Sequence, residues 1–151
     1  MPLPSRVAVR VVLLDALSRV LLFEGRDLSD GEDRVRFWFT AGGGVEEGEA
    51  LVDAAARELN EETGLTAESL VGPFHRREVE FLNHGEPLHQ VEHYFAVRTE
   101  AVLLSRDGWT ELERMAMTRS KWWTADDLRE SDMAYFPSEL PELIEQAAKL
   151  V

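Results

Sequence analysis

Apolar residues come in short runs over the first forty or so positions, and their period changes at a cluster of glycines. Val7–Leu14 is β-branched and apolar, and Val20–Phe23 resumes after Asp15-Ala16-Leu17-Ser18-Arg19. Two strands around a short turn are the simplest reading, although that turn carries no Asn-Gly or Asp-Gly signal. Gly25–Arg34 is polar around Asp30-Gly31 and reads as a loop. Val35–Thr40 alternates bulky residues into Gly42-Gly43-Gly44 and reads as a strand feeding the glycine turn.

Beyond the glycines the period becomes helical. Leu51–Glu62 consists largely of strong helix formers, Glu49 lies near the positive N-terminal end, and Gly64 can supply a left-handed C-terminal cap. At about 100° per residue, Val52, Ala55, Ala56 and Leu59 share one side, while Glu58, Glu61 and Glu62 fall within an arc of roughly 100° beside it. Downstream, Arg77–Leu82 and Val91–Arg98 read as antiparallel strands around Asn83-His84-Gly85-Glu86-Pro87. Lys121–Thr124 reads as a further strand and Ala125–Leu128 as a short helix. A last helix is expected from Ser138 as N-cap, with Leu140, Leu143, Ile144, Ala147 and Leu150 at helical spacing. The sum is an α/β chain, a mixed sheet with helices on its faces, in one domain spanning 1–151.

Charge changes the picture next. Twenty-nine acidic against sixteen basic side chains give a net charge of -13, which argues against a protein that grips long DNA or RNA electrostatically. A small polyphosphate is still admissible once a metal ion neutralises the carboxylates. The chain has no cysteine, which excludes disulfides, thiolate metal sites and a cysteine nucleophile. No run approaches about 18 apolar residues and the start lacks a signal-like core, so a cytoplasmic protein without a membrane partner is expected.

Three glutamates crowded on one helix flank are ordinarily a solvated face. Like charges 5 Å apart repel by about 3 kcal/mol at an effective dielectric near 20, so such a trio must be well solvated, partly protonated or shared with a metal. Oxygen-only ligands select Mg2+ or Mn2+ over zinc. Here the spacing is specific: Gly43, Glu49, Arg57, Glu58, Leu59, Glu61, Glu62, Gly64 and Leu65 fit G-x5-E-x7-R-E-U-x-E-E-x-G-U, U being a bulky aliphatic. The segment 43–65 resembles the Nudix box, and the chain is similar to the Nudix hydrolase family of MutT-like pyrophosphohydrolases. Arg-Val-Ala-Val-Arg near the start, the Trp-x-x-x-Gly-Gly-Gly approach and Lys-Trp-Trp-Thr-Ala-Asp-Asp-Leu extend the likeness across most of the chain. Many relatives place proline where this chain has Ala41, a change that loosens the turn entropically but removes no ligand.

The resemblance implies an α/β/α sandwich whose loop-helix-loop motif binds a divalent metal through Glu58, Glu61, Glu62 and a main-chain carbonyl of the glycine turn, at Gly42. Glu58 and Glu62 at i and i+4 can reach one ion or bracket two; Glu61 is a further ligand or the general base. Arg57 is expected to project away from the glutamate flank and, by resemblance, to support the site through a salt bridge with Glu49. A carboxylate from outside the box often acts in this family; Glu92, Glu111 and Glu113 are the candidates. Thr110 to Glu113 also has capping-box spacing, which would give Glu113 a purely local role. Trp38 either stacks on a base or fills the core, one of Trp122 and Trp123 turns inward, and Arg10 and Arg36 are candidates to reach phosphate. His75, His84, His89 and His93 lack zinc-like spacing and receive no role.

The expected function is metal-dependent hydrolysis of the pyrophosphate bond in a nucleoside diphosphate linked to another group. The alternatives are a nucleotide or nucleotide-sugar sensing domain with little turnover, and an inert scaffold helix. Dinucleoside polyphosphates, ADP-ribose-like compounds, oxidised nucleoside triphosphates and nucleotide sugars all remain open as the small-molecule partner, and a homodimer is left open too.

Overall fold

The computed structural model describes residues 4–26, 36–66, 69–83, 85–100 and 105–151. Its strands are β1 (Ser5–Leu14), β2 (Val20–Arg26), β3 (Arg36–Gly44), β4 (Val71–Asn83), β5 (Glu86–Arg98), β6 (Met117–Trp123) and β7 (Tyr135–Phe136). Its helices are α1 (Leu51–Thr63), α2 (Glu111–Ala116), α3 (Ala125–Glu130) and α4 (Leu140–Leu150). The strands form one seven-stranded sheet in the order β4-β5-β1-β2-β3-β7, with β6 on β2 and β1 also paired to β3. It is mixed: β1–β5 and β3–β7 are parallel and the other pairs antiparallel.

β1 is apolar from Val9 to Leu14 save for Arg10, because both of its faces are covered there. Val9, Val11 and Leu13 join a core with Ala54, Ala55 and Leu59 of α1. Val12 and Leu14 join a second core with Leu128 of α3 and Leu140, Leu143 and Ile144 of α4. The sheet therefore lies between α1 on one side and α3 and α4 on the other, the layered α/β Nudix arrangement that the resemblance implies. Among the described residues no helix is long and apolar enough to cross a membrane.

Several boundaries differ from those expected, each for a local reason. The β1–β2 turn needs no Asn-Gly because the Asp15 carboxylate accepts hydrogen bonds from the main-chain N–H of Leu17 at 2.9 Å and of Arg19 at 2.8 Å. β2 continues through Gly25 to Arg26, which pairs with Arg36; the rest of the expected loop, with Val35, lies outside the described residues, as does His84. β4 starts at Val71 instead of Arg77 because it is an edge strand, and its polar outward positions hide it from an apolar pattern. Helix α4 is not capped by Ser138: Glu139 is its N-cap, without a side-chain bond, and Pro141 in the first turn fixes its start.

The join between β3 and β1 requires glycine. Gly42 has φ 146°, and a Cβ there would stand 2.1 Å from the Val9 carbonyl oxygen and 2.9 Å from the Arg10 Cα. Gly42→Ala is expected to destabilise the fold by about 2 kcal/mol or more, because both neighbours are main chain and neither can swing aside. Urea denaturation checks this; an unchanged midpoint would contradict the register of β1 on β3.

Candidate active site

Helix α1 buries Ala55 and Leu59 as its apolar pattern suggests, but the buried face is turned away from Val52 and towards the glutamates. Val52 is 44% exposed, whereas Ala54, Ala55, Glu58, Leu59 and Glu62 are buried. The helix thus presses its acidic flank onto the glycine turn. The Gly43 backbone runs so close to Glu58 that an added Cβ would stand 2.6 Å from its carboxylate. The Gly42 N–H points at the Glu62 carboxylate, with N to O distances of 3.3 and 3.4 Å. At its other end α1 terminates on Gly64 in the left-handed conformation, φ 78°, as the sequence suggests.

The third carboxylate comes from elsewhere. One oxygen each of Glu58, Glu62 and Glu113 lie within 4.8 Å of one another. Glu113 reaches them from α2 while also closing that helix's capping box: its carboxylate accepts from the Thr110 N–H at 2.9 Å and its own N–H donates to the Thr110 hydroxyl at 3.1 Å. The capping box expected from the sequence is thus formed by the same carboxylate that lies in the trio.

Such a trio is electrostatically unsatisfied by the protein alone. Glu62 is only 3% exposed, and burial first, then the neighbouring Glu58 charge, pushes its acid constant well above the ordinary carboxylate range. Burial raises Glu58 as well, against the pull of Arg57. At separations under 5 Å each charged pair costs about 3 kcal/mol at an effective dielectric near 20. A small divalent cation fits this donor set of oxygen atoms, in which Arg57 pairs with Glu58 while burial still raises both Glu58 and Glu62.

Arg57 bundles the remaining acids. Its guanidinium donates from Nε and NH2 to the two oxygens of Glu49, both at 2.8 Å, and from NH2 to the Gly44 carbonyl at 3.0 Å. NH1 donates to Glu58 at 3.0 Å and to Glu61 at 3.4 Å. The guanidinium therefore does not project away from the Glu58 flank; its long stem lets one group join α1, the glycine turn and Glu49. Glu49 is drawn down to about 2, by the Arg57 hydrogen bonds first.

Glu61 is not brought into the trio. Its side chain is 40% exposed and sits beside Arg57. Glu111 is exposed in the first turn of α2. Glu92 belongs to a buried network on the opposite sheet face from α1: Arg77 lies 3.1 Å from one of its oxygens and Arg10 3.3 Å from the other, while Gln90 and Tyr94 donate to it at 2.7 and 3.1 Å. Burial would raise Glu92, but Arg10 and Arg77 outweigh it and hold the carboxylate below its ordinary value. Arg10 also donates to the Thr40 carbonyl at 3.4 Å, and the charge of Glu62 acts on it as well as that of Glu92.

Trp38 and Arg36 lie further off. Trp38 is 1% exposed, edge-on to Trp123 with ring centroids 5.2 Å apart, and so occupies core space with no face open to a base. Of the tryptophan pair, Trp123 is the buried one and Trp122 is partly buried. Arg36 begins β3, six residues before Gly42 or about 20 Å of extended strand away, and stands 3.9 Å from Glu24.

Three residues at the site escape a sequence reading. Trp109 donates its indole N–H to the Glu62 carbonyl at 2.7 Å, and Arg77 and Gln90 hold Glu92. Gln90 sits two residues before Glu92 on β5, so strand alternation places both side chains on one face and could have flagged it. Trp109 and Arg77 carry no such signal.

A curled sheet carrying a glycine turn and an acidic helix, with a carboxylate trio beneath, defines the class: an α/β fold that presents oxygen ligands suited to a divalent cation. The chain belongs to the NUDIX family, whose domain matches residues 4–144. Over 66 residues it is 47% identical to an RNA pyrophosphohydrolase of Novosphingobium aromaticivorans, a match covering 44% of this chain and 38% of that protein. Its fold is similar to that of the Escherichia coli dihydroneopterin triphosphate pyrophosphohydrolase, with TM-score 0.67 and 21% identity over 99% of this chain and 100% of that one. It is also similar to the NUDIX domain of Shewanella oneidensis NrtR, solved with ADP ribose, with TM-score 0.63 and 18% identity over 97% and 88% of the two chains.

Proposed function

We propose that this protein hydrolyses the pyrophosphate bond of a nucleoside diphosphate linked to another moiety, with Mg2+ or Mn2+ held by Glu58, Glu62 and Glu113. The observation that carries this reading is the convergence of those three carboxylates, two of them buried, within 4.8 Å. When bound, the ion would offset substrate charge and lower the pKa of water. The chain's own residues do the rest. Arg57 fixes the Glu58 carboxylate, and the Gly42 main chain faces Glu62 from the glycine turn. Arg10, tied to Glu92 and acted on by the charge of Glu62, is set to meet a phosphate oxygen at the edge of the trio. Glu61, outside the trio and partly open to solvent, takes the proton as water oxygen bonds to phosphorus and the bridging oxygen leaves.

The assignments separate by measurement. Glu61→Gln is expected to lower kcat by about a hundredfold while keeping the affinity for Mn2+. Glu58→Gln should lose both. Calorimetric Mn2+ titration beside rates on a panel of nucleoside diphosphate derivatives checks the pair. Equal loss of Mn2+ affinity in Glu61→Gln would make it a ligand instead of the base. Saturable nucleotide binding with no turnover across the panel would favour a sensing domain, a role that makes no demand for a complete carboxylate set.

A further inference from the structure

Helix α2 has only six residues, too few to hold itself in place. Its Glu113 nevertheless has to arrive within a few ångströms of Glu58 and Glu62. The segment just before it is attached to α1 at three successive residues. The Ser105 N–H donates to the Thr63 carbonyl at 2.7 Å. The Trp109 indole N–H donates to the Glu62 carbonyl at 2.7 Å. Between them Gly108 lies flat on Glu61, where an added Cβ would stand 2.5 Å from the Glu61 carbonyl oxygen and 2.8 Å from its Cα. These acceptors are last-turn carbonyls, which a helix leaves without partners of its own.

We propose that Ser105–Trp109 is a clasp that reads the position of the catalytic helix and sets Glu113 from it, with Trp109 and Gly108 as positioning residues. The inference rests on the reading of the trio as a cation site. The linkage is short at every step. Trp109 is buried, edge-on to Phe23 at 5.6 Å between centroids, with the Arg106 guanidinium 4.2 Å from its ring and its own N–H closing a turn to the Arg106 carbonyl at 3.0 Å. The next residue is Thr110, and the capping box then fixes the Glu113 carboxylate against the Thr110 N–H. The residue that supplies the Glu62 carboxylate thus also supplies, through its main-chain carbonyl, the anchor for the partner carboxylate. The indole N–H is the part of this side chain that bonds α1, at the Glu62 carbonyl.

The test is Mn2+ titration followed by electron paramagnetic resonance of the free ion, with folding checked by circular dichroism. It compares the wild type with Trp109→Phe, Gly108→Ala, Glu113→Gln, Glu58→Gln and the double variant Trp109→Phe/Glu113→Gln. Trp109→Phe removes the indole N–H and part of the ring while keeping an aromatic side chain, so its folding is checked beside its Mn2+ affinity. It is expected to weaken Mn2+ binding about fivefold, and Gly108→Ala and Glu113→Gln about tenfold or more. The double variant should bind no more weakly than Glu113→Gln alone, since the clasp acts through that residue; a role confined to stability would not produce this coupling. Wild-type Mn2+ affinity in folded Trp109→Phe, or losses that multiply in the double variant, would overturn the clasp. If Glu58→Gln and Glu113→Gln also bound Mn2+ normally, the cation site itself would be wrong; normal binding in the clasp variants alone would sink only this inference. Should Gly108→Ala not fold, Trp109→Phe decides.

Discussion

Glu62→Gln is expected to make the metal-free protein more stable while making the enzyme far worse. The side chain is 3% exposed, and among the described residues its hydrogen bonds are long ones from the Gly42 N–H, at 3.3 and 3.4 Å. Around it stand the carboxylates of Glu58 and Glu113, with Arg10 the nearest countercharge acting on it. An amide of the same shape removes that repulsion. At neutral pH the gain should be about 1 kcal/mol or more, roughly 2–4 °C in Tm for a chain of this size. Because burial holds the folded-state acid constant above the unfolded one, the native state keeps a proton longer than the unfolded chain. Wild-type stability from this group therefore falls as pH rises through the window between the two. The advantage of Glu62→Gln should be absent below pH 4, grow above it and then level off. The Mn2+-induced rise in Tm should vanish in the variant, and kcat should fall by on the order of 10²–10³. Calorimetry with and without Mn2+ across pH, beside steady-state rates, tests all of these. A variant less stable than wild type without metal would show that the buried charge is already compensated.

Arg57→Ala should lose stability and metal affinity together. One guanidinium holds both oxygens of Glu49, the Gly44 carbonyl and Glu58. Removing it frees the glycine turn from α1 and leaves Glu58, already buried, without its cation. The expected loss is about 2–3 kcal/mol, with Mn2+ binding weaker by about ten- to a hundredfold. Arg57→Lys keeps the charge but not the fork that matches Glu49, and should recover only part of either quantity. Glu49 adds a signature in acid. Its carboxyl is held at about 2 instead of 4.5, so its contribution is fully present above about pH 4.5 and fades as pH falls through about 2. The stability gap between wild type and Arg57→Ala should narrow over that interval. A constant gap from pH 6 to pH 2, in urea unfolding at each pH, would mean that Arg57 acts through packing alone.

What the sequence discloses here is mostly what is local. The apolar runs of β1 and β2, the extent of α1 and its Gly64 end all follow from neighbouring residues, and the spaced glutamates and arginine of the box lead to the family to which the chain belongs. Long-range placement is where the reading fails. The helical wheel turns Val52 inward, yet it is exposed, because α1 is oriented by the glycine turn it must face, and a wheel carries no information about a turn. Glu61 shares the arc of Glu58 and Glu62, but Arg57 draws it aside, and the third member of the trio is Glu113, fifty-one positions beyond Glu62. Nothing in the local pattern of Thr110–Glu113 distinguishes a capping glutamate from a capping glutamate that also joins a distant carboxylate cluster. Trp38 and Trp109 show the same limit: both are buried, but Trp109 offers its N–H to α1, and that depends on a contact across forty-seven residues. The box likewise carries no information about which further group a substrate would bring, since that depends on side chains gathered from several strands.

Anomalous diffraction from crystals grown with Mn2+ tests the central claim most directly. A peak bonded by carboxylate oxygens of Glu58, Glu62 and Glu113, at about 2–2.5 Å from each, is the expected result. A Mn2+ peak held by other residues, or crystals saturated with the ion in which these three side chains bind none, would contradict the account.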